Sequence, residues 1–516
     1  MFGRRFWAVS IVVLAGCFAL LVDISGAAAR TAGIWSTSDH TAYEALQRDF
    51  ADGKEVTKVC ISCHVKAAQQ IHQTKHWKWE FANPDTGQKL GKKHVVNNYC
   101  IAAIPNIKTC SDCHIGHGWK DSTFDFDAEE NVDCLVCHDT TGYYMKGKLP
   151  PNHPGIDLTE VAQNVGPTSR RTCGACHFKG GGGEAVKHGD LDPSLEEPDG
   201  FLDVHMDAEG LDFSCSTCHS GDQHAVKGSR YTPTANDTHG VDFPGHDDES
   251  RASCESCHGL TPHTVESNEK LNDHTDRVSC EACHIPQFSR GDYATKMWWD
   301  WSTSGKLDEN GKPFHEEDDD GVEIFNSKKG HFRWGSDVVP EYVWFNGRVD
   351  YTLLDTEIDP TKIVKINRFG GAADDPNARI WPVKIMRGKQ PYDTKSKTLV
   401  AVRTSGTNGF WTHFDMKKGI AQGQKDVGMP FSGEYDFVET EMYWPIAHMV
   451  APSDEALQCD ACHAKPGRLA GVNGFYMPGR DSNSLLDMAG ILMVVLTLVG
   501  VLGHAALRIV VRLRRG

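Results

Sequence analysis

The two long apolar runs of this chain lie near its ends. After the basic start MFGRR, residues Phe6 to Val22 are apolar, and three alanines follow at positions 27 to 29. This order is typical of a secretory signal peptide with a small-residue cleavage site, so we predict one over residues 1–29. Cys17 lies in LAGC, which resembles a lipoprotein box, but the apolar run continues past it. Lipidation at Cys17 and an uncleaved anchor stay open as alternatives.

A second apolar run lies near the carboxyl end. Met488 to Leu507 is twenty residues long and carries no formal charge apart from His504, and a helix of that length spans about 30 Å, the core of a bilayer. Arginines follow at positions 508, 512, 514 and 515, and positive charge stays on the cytoplasmic side. We predict a transmembrane helix over 485–511, a cytoplasmic tail at 512–516 and an extracytoplasmic location for the rest. His504 is predicted to be interfacial.

The long segment between these runs changes character near residue 285. Residues 286–447 contain strand patterns: EYVWFNGRVDYTLL predicts a hairpin around Asn346-Gly347, TLVAVR alternates as a strand, and tryptophan is frequent. This part is predicted to be a mixed, partly β insert. Residues 30–285 show short segments rich in glycine and proline, and the mean hydropathy of the chain is −0.43. We expect short helices, irregular structure and no sheet there.

The pattern of cysteines indicates how so polar a segment can fold. Of the 18 cysteines, sixteen fall in eight copies of Cys-x-x-Cys-His. In this spacing two thiols bond the two vinyl groups of one haem, and the next histidine ligates its iron. Zinc sites do not require histidine after the second cysteine in every copy. The eight motifs are Cys60, Cys63 and His64; Cys110, Cys113 and His114; Cys134, Cys137 and His138; Cys173, Cys176 and His177; Cys215, Cys218 and His219; Cys254, Cys257 and His258; Cys280, Cys283 and His284; and Cys459, Cys462 and His463.

The motif spacing predicts the architecture. Seven motifs lie within residues 30–285, and their histidines follow one another at intervals of 24 to 50 residues. So little chain per haem means that the porphyrins form much of the core. The predicted fold is mainly α with much irregular structure: a multihaem cytochrome c array, the partly β insert at 286–447, an eighth haem region at 448–484 and one carboxy-terminal transmembrane helix.

A second axial ligand for each iron is expected from histidines outside the motifs. His40 and His504 lie near the ends and are set aside, and His72 is an alternative to His76 because the two lie four residues apart on one helix face. Each candidate has the alternative of being an ordinary polar histidine. The candidates are His76, His117, His188, His205, His224, His263, His274 and His448.

The formal net charge of −17 argues against nucleic acid as a partner. An anionic substrate would therefore need positive charge concentrated at its site. The expected cofactor is eight covalent haems c. The expected partners are a small inorganic substrate, the membrane, and a membrane quinol-linked or soluble electron donor.

Eight motifs with the last one remote, and the peptides CLVCHDTTG, YVWFNG and RIWPVKIMRGKQPYD, resemble the octahaem tetrathionate reductase family. That family is related to hydroxylamine oxidoreductases and octahaem nitrite reductases. The resemblance covers nearly all of the extracytoplasmic part but not the transmembrane helix. It implies a catalytic haem at the second motif, Cys110, Cys113 and His114, with a lysine as distal ligand. Lys146 is the first choice and Lys148 the second. The related nitrite reductases replace the motif histidine by lysine, and no CxxCK occurs here.

A lysine ligand is also chemically reasonable. Only a neutral amine binds iron, and burial beside a ferric centre lowers the pKa of a lysine by several units. Once displaced and protonated, the amine offers charge or a proton to an oxyanion. The alternative is that Lys146 and Lys148 are solvated surface residues. Cys100, ten residues before the second motif, is either a thiol facing the catalytic haem or a buried structural cysteine.

The sequence thus predicts a membrane-anchored periplasmic cytochrome that reduces tetrathionate, nitrite or hydroxylamine. One rival is an electron conduit in which every haem has two histidine ligands. The other is a hydroxylamine-oxidising enzyme, which would need a tyrosine bonded to its catalytic haem. Tyr435 and Tyr443 are the candidates, but no motif singles either out.

Overall fold

The computed structural model describes residues 38–98, 102–144, 146, 156–180, 182–243, 252–265 and 268–516. The predicted signal peptide with Cys17, and the candidates Cys100 and Lys148, lie outside the described residues. The contacts divide the chain into two compact units: Met1–Gly371 with Asn377–Ala456, and Ala372–Pro376 with Leu457–Gly516.

Short helices carry the haem motifs. Many end at a motif because the motif itself forms one helical turn. In most motifs a bond from the histidine N–H to the carbonyl of the first cysteine closes this turn, as between His64 and Cys60 at 2.8 Å. The helices are α1 Gly53–Cys63, α2 Ala67–Gln73, α3 Lys75–Lys78, α4 Ile107–Cys110, α5 Leu135–His138, α6 Leu158–Gln163, α7 Arg170–His177, α8 Cys215–Cys218, α9 Glu255–His258, α10 Asn272–Thr275, α11 Cys280–His284, α12 Phe410–His413, α13 Met416–Asp426, α14 Cys459–Cys462 and α15 Ser484–Arg515.

The strands lie mostly in the insert. They are β1 Phe81–Ala82, β2 Lys89–Leu90, β3 Gly221–Asp222, β4 Ala225–Val226, β5 Thr295–Asp300, β6 His315–Glu317, β7 Glu323–Asn326, β8 Gly330–Gly335, β9 Glu341–Phe345, β10 Val349–Tyr351, β11 Val364–Lys365, β12 Asn367–Phe369, β13 Arg379–Asp393, β14 Thr398–Leu399 and β15 Tyr435–Pro445.

Strand β13 organises a nine-stranded mixed sheet. It pairs antiparallel with β15 along eleven residues, from Val383 opposite Pro445 to Asp393 opposite Tyr435, and parallel with β5. The sheet order is β11-β15-β13-β5-β8-β7-β6, with β9 and β14 also paired to β13. The peptide RIWPVKIMRGKQPYD, one of those that carry the family resemblance, is the whole of β13. It is almost entirely buried, so a mutation in it disturbs several strands at once.

The largest apolar core lies against this sheet. Trp299, Trp301 and Trp444 are buried in it, and Trp299 and Trp301 stack at 5.2 Å between ring centroids. The predicted fold class is confirmed: short helices and irregular segments, a partly β insert and one long apolar carboxy-terminal helix.

Three local predictions were wrong. Strands β9 and β10 do occur on either side of Asn346-Gly347, but β9 pairs with the buried strand β13 and β10 with β12, rather than with each other. The TLVAVR strand is reduced to β14, and the three residues after it are buried by packing rather than by a ladder. The heptahaem half contains two small ribbons, β1–β2 and β3–β4.

Candidate functional site

In all eight motifs the two cysteines lie about one helical turn apart, and no disulfide joins them in the part of the chain that the structure describes. Residues three apart lie on the same face of a helical turn, so each pair can bond one edge of one haem. Within the described residues all sixteen cysteines belong to these motifs. The thiols are therefore available for thioether bonds.

Six motif histidines face a second histidine at nearly the same separation, 6.0 to 6.4 Å between ring centroids. The rings are too far apart to bond directly. A metal held by an imidazole nitrogen on each side at about 2.0–2.1 Å separates the two ring centroids by roughly 6 Å. Each pair thus fits a haem iron between two axial histidines. The pairs are His64 with His40, His138 with His224, His177 with His76, His219 with His448, His258 with His205, and His284 with His263.

Backbone carbonyls orient several of the motif histidines. The Nδ1 atom of His138 bonds the Gly166 carbonyl at 2.8 Å, and that of His219 bonds the Lys227 carbonyl at 3.0 Å. The Nδ1 atom of His463 lies 3.0 Å from the Pro478 carbonyl. A carbonyl accepts a proton from Nδ1, which leaves Nε2 as the nitrogen that can bind iron.

Cysteines from different motifs lie within hydrogen-bond reach of one another. The contacts are Cys60 with Cys134, Cys113 with Cys176, Cys173 with Cys215, and Cys254 with Cys280. Haems bonded to these thiols would be neighbours in four pairs: one and three, two and four, four and five, and six and seven. The second, fourth and fifth haems would then form a continuous series.

The second motif differs from the others. Its second cysteine ends a 3-10 turn, Ser111–Cys113, and the N–H of His114 bonds the carbonyl of Ser111 rather than that of Cys110. In the described chain the His114 ring contacts aromatic rings and no histidine ring; these are Trp77, Trp79, Trp119, Phe124 and Phe126, at 4.7 to 5.8 Å. Burial lowers the pKa of His114 to about 3. The ring is therefore neutral, as a ligand must be.

The His114 Nε2 atom bonds the Trp77 carbonyl at 2.7 Å, and Nδ1 accepts the Gly116 N–H at 3.1 Å. Ligation of iron through Nε2 therefore requires the ring to turn away from Trp77. The cysteine spacing of the motif fits covalent haem, whereas the histidine fits it only after this rotation.

Lys146 lies beside this motif. Its Nζ atom donates to the Gly116 carbonyl at 2.9 Å, two residues after His114. Burial lowers the pKa of Lys146, and the Asp133 carboxylate opposes that shift. The amine thus lies in the surroundings that favour its neutral form.

Asp133 is the centre of a polar cluster next to Lys146. Its carboxylate is fully buried, and the Tyr144 hydroxyl lies 2.9 Å from both of its oxygens. The Nδ1 atom of His117 lies 3.6 Å from the carboxylate. The Nε2 atom of His117 is buried and has no hydrogen-bond partner among the described residues. Sequence reasoning missed Asp133 and Tyr144, since neither belongs to a motif.

Positive charge is concentrated around the second motif. The Lys92 Nζ atom lies 4.8 Å from the Trp79 ring, and the Lys93 Nζ atom lies 4.5 Å from the Phe126 ring. With Lys146, both lower the pKa of His114. A chain of net charge −17 thus carries local positive charge at this motif, as binding of an anion requires.

The remaining candidate histidines lie elsewhere. The His188 ring contacts Trp444 at 4.7 Å, and His274 lies on α10. His448, which precedes the eighth motif in sequence, faces His219 of the fifth motif, and its Nδ1 atom bonds Asp190 at 3.0 Å. His40 was set aside because of its terminal position, yet it stacks on His64. No periodicity or motif around His40 signals that contact.

Comparisons with known proteins agree with this arrangement. The family described as Cytochrome c bacterial matches residues 296–466. An uncharacterised protein of Archaeoglobus fulgidus is 27% identical over 224 residues, which is 33% of this chain and 74% of that protein. The crystal structure of octahaem cytochrome c from Shewanella oneidensis is 40% identical, with a TM-score of 0.73, and the match covers 84% of this chain and 95% of that one. The chain therefore belongs to the octahaem cytochromes c, a family with covalently bound haem c, and is similar to the octahaem tetrathionate reductases.

Proposed function

We propose that this cytochrome is an extracytoplasmic reductase of a small sulfur or nitrogen compound, anchored by α15, and that catalysis takes place at the second motif. Tetrathionate, nitrite and hydroxylamine are the candidate substrates. One observation carries the proposal. Six motif histidines face a second histidine, whereas among the described residues His114 does not, and Lys146 lies beside it.

The residues of this site have separate tasks. A bound haem would supply electrons and an open coordination position for the substrate. Lys146 as a neutral amine would occupy that position at rest and leave it when the substrate arrives. Protonated after its release, it would add positive charge to that of Lys92 and Lys93 and stabilise a bound anion.

The cluster around Asp133 would supply protons. The Tyr144 hydroxyl holds a proton against the carboxylate, and the buried Nε2 atom of His117 is available to a substrate or a water. Burial lowers the pKa of His117, and the Asp133 carboxylate opposes that shift, so the neutral ring would pass a proton from the cluster on to the substrate.

Electrons would reach the site through the neighbouring haems. Cys113 of the second motif touches Cys176 of the fourth, and Cys173 of the fourth touches Cys215 of the fifth. The same series would also serve a pure electron conduit. Such a conduit differs from a reductase only in having no catalysis at the second haem. The tyrosines of the oxidase rival, Tyr435 and Tyr443, lie on β15, where the Tyr443 hydroxyl bonds Glu441 at 3.1 Å.

Replacement of Lys146 by leucine tests the proposal. Leucine keeps part of the apolar stem but cannot ligate, so a high-spin ferric signal should appear or grow in the electron paramagnetic resonance spectrum. Turnover of the true substrate should change, while the signals of the other haems persist. Lys148→Leu is the control; a larger effect there would move the ligand role to Lys148. If neither variant changed spectrum or turnover, a lysine-ligated catalytic haem would be excluded.

A further inference from the structure

The eighth motif is joined to the long apolar helix without a flexible linker. The motif occupies α14, and α15 begins at Ser484. Asn483 caps α15, because its Oδ1 atom accepts the N–H groups of Leu485 at 3.1 Å and Leu486 at 3.3 Å. Among the described helices α15 alone is long and apolar enough to cross a membrane, and an 18-residue stretch within it has a mean hydropathy of 2.5.

Residues 478–482 bind directly to the motif. The Pro478 carbonyl accepts from His463 Nδ1 at 3.0 Å, and the Ser482 carbonyl accepts from Lys465 Nζ at 3.0 Å. Gly479 has a φ of +86° and packs against the His463 carbonyl so closely that a Cβ atom there would collide with it. The residue that positions the motif histidine and the residue that precedes the helix cap thus belong to one short segment.

Arg480 makes this segment rigid. Its guanidinium donates to the Leu469 carbonyl at 3.0 Å and the Phe475 carbonyl at 2.9 Å, and it pairs with Asp481 at 2.7 Å. Beside it, the Tyr476 side chain is 70% exposed. Tyrosines are enriched where a protein meets the headgroups of a bilayer, so this position suits a membrane surface.

We propose that the haem on Cys459, Cys462 and His463 is the electron-entry haem of this protein, and that it accepts electrons at the outer membrane surface from the haem of a membrane protein that oxidises quinol. The proposal rests on the membrane anchor proposed above. From Ser484 to the first residues of the charge-free run the helix rises only about 6 Å, which keeps the motif next to the bilayer. His463 fits the role, since the bond between its Nδ1 atom and the Pro478 carbonyl fixes the orientation of the ring.

The electron balance is simple. Oxidation of one quinol to quinone by the partner releases two protons to the outside and two electrons. The electrons pass singly, each reducing one ferric iron to ferrous. The residues of this segment take no part in the chemistry; they hold the motif at the height where the transfer takes place.

An insertion of a flexible linker tests whether the eighth motif must lie next to the bilayer, because it moves the motif away without changing its residues. Twenty glycine and serine residues between Ser482 and Asn483 keep the helix cap but add a flexible span of about 25 Å. The same insertion between Asp319 and Asp320, in the exposed loop between β6 and β7, is the control. The full-length proteins are compared in membrane vesicles of the producing cells, with menadiol as the quinol and haem reduction followed by absorbance.

The linker variant should be reduced by menadiol at least tenfold more slowly than the wild type, while the loop variant and turnover with reduced methyl viologen stay unchanged. Lipids with a nitroxide headgroup should also enhance the spin relaxation of one haem in the wild type and not in the linker variant. Equal reduction rates, or protein that does not float with the vesicles, would overturn the proposal. If methyl viologen supports no turnover in any protein, the reductase function fails, and the reduction rates still decide the entry point.

Discussion

The guanidinium of Arg379, at the start of β13, pairs with the carboxylate of Glu255, the residue that follows the first cysteine of the sixth motif. Both side chains are buried, at 7% and 9% exposure. Around them, the Sγ atom of Cys254 lies 3.7 Å from the Oε1 atom of Glu281, and the Sγ atom of Cys280 lies 3.9 Å from the Oε1 atom of Glu255. The ion pair thus joins β13 to the sixth motif, and Glu255 also contacts Cys280 of the seventh motif.

Loss of one partner should be costly. Arg379→Met leaves the Glu255 charge buried and unpaired, so the folded state should lose about 3–5 kcal/mol. The double variant Arg379→Met, Glu255→Gln removes both charges and should regain most of that loss. Arg348→Met breaks an exposed pair with Asp350 and should have no measurable effect. Thermal unfolding by circular dichroism measures all three, and equal losses in the single and double variants would contradict the argument.

Lys296 is buried inside an aromatic cage. Its Nζ atom lies 3.2 Å from the centroid of Phe332, 4.3 Å from that of Trp299 and 4.7 Å from that of Trp334. Burial lowers the pKa of Lys296 to about 6 in the folded protein, against 10.5 as its ordinary value. The unfolded chain therefore binds one more proton than the folded chain between these two values. It follows that stability should rise as pH increases from 6 towards 10.

Lys296→Met tests this. Methionine does not titrate, so the variant should be more stable than the wild type near pH 6, and the difference should shrink by up to about 1.4 kcal/mol per pH unit as the pH rises. Melting temperatures at pH 6.5 and 9 measure the change. The exposed Lys312→Met variant should show no such trend. A constant difference between Lys296→Met and the wild type would mean that the ring faces keep the amine charged in the folded state.

The facing histidines give a third prediction. His448→Leu should remove one axial ligand of the fifth haem, so one low-spin ferric signal should be lost and a high-spin signal gained. His40→Leu should do the same at the first haem. The control is His413→Leu, because that exposed ring bonds only the Thr407 carbonyl at 2.6 Å. Spectra unchanged by the first two variants would show that their ring separation does not reflect shared iron.

The haem-binding motifs could be predicted from the sequence, whereas most pairings of the facing histidines could not, and the reason is physical. The thioether motifs are local, since both thiols and the histidine lie within one turn. Facing histidines are not local: β15 carries the chain from the insert back to the fifth motif, so His448 faces His219 rather than the motif that follows it in sequence. His40 comes to His64 through the packing of Leu46 and Phe50 against α1, which no local pattern shows.

The pairing of the strands is not determined locally either. The chain does bend at Gly347, which has a φ of +90°, but a local bend does not choose the partner of a strand. Strand β9 pairs with the buried strand β13 instead. The Asp133 cluster was equally hidden, because Tyr144 and His117 meet it only when the segments after the second and third motifs lie side by side.

The Asp133 cluster also separates the candidate substrates. Reduction of nitrite or hydroxylamine consumes protons, whereas splitting tetrathionate into two thiosulfates takes two electrons and no proton. If the cluster donates protons, Asp133→Asn should lower turnover of nitrite and hydroxylamine by about 10²-fold, the usual contribution of a general acid, and leave tetrathionate turnover nearly unchanged. His117→Gln should act in the same sense. The control is Asp121→Asn, an exposed carboxylate that accepts from Thr123 at 2.6 Å. Steady-state rates with reduced methyl viologen give the comparison. Equal losses with all three substrates would assign Asp133 to the positioning of Lys146, and no loss with any of them would remove it from the site.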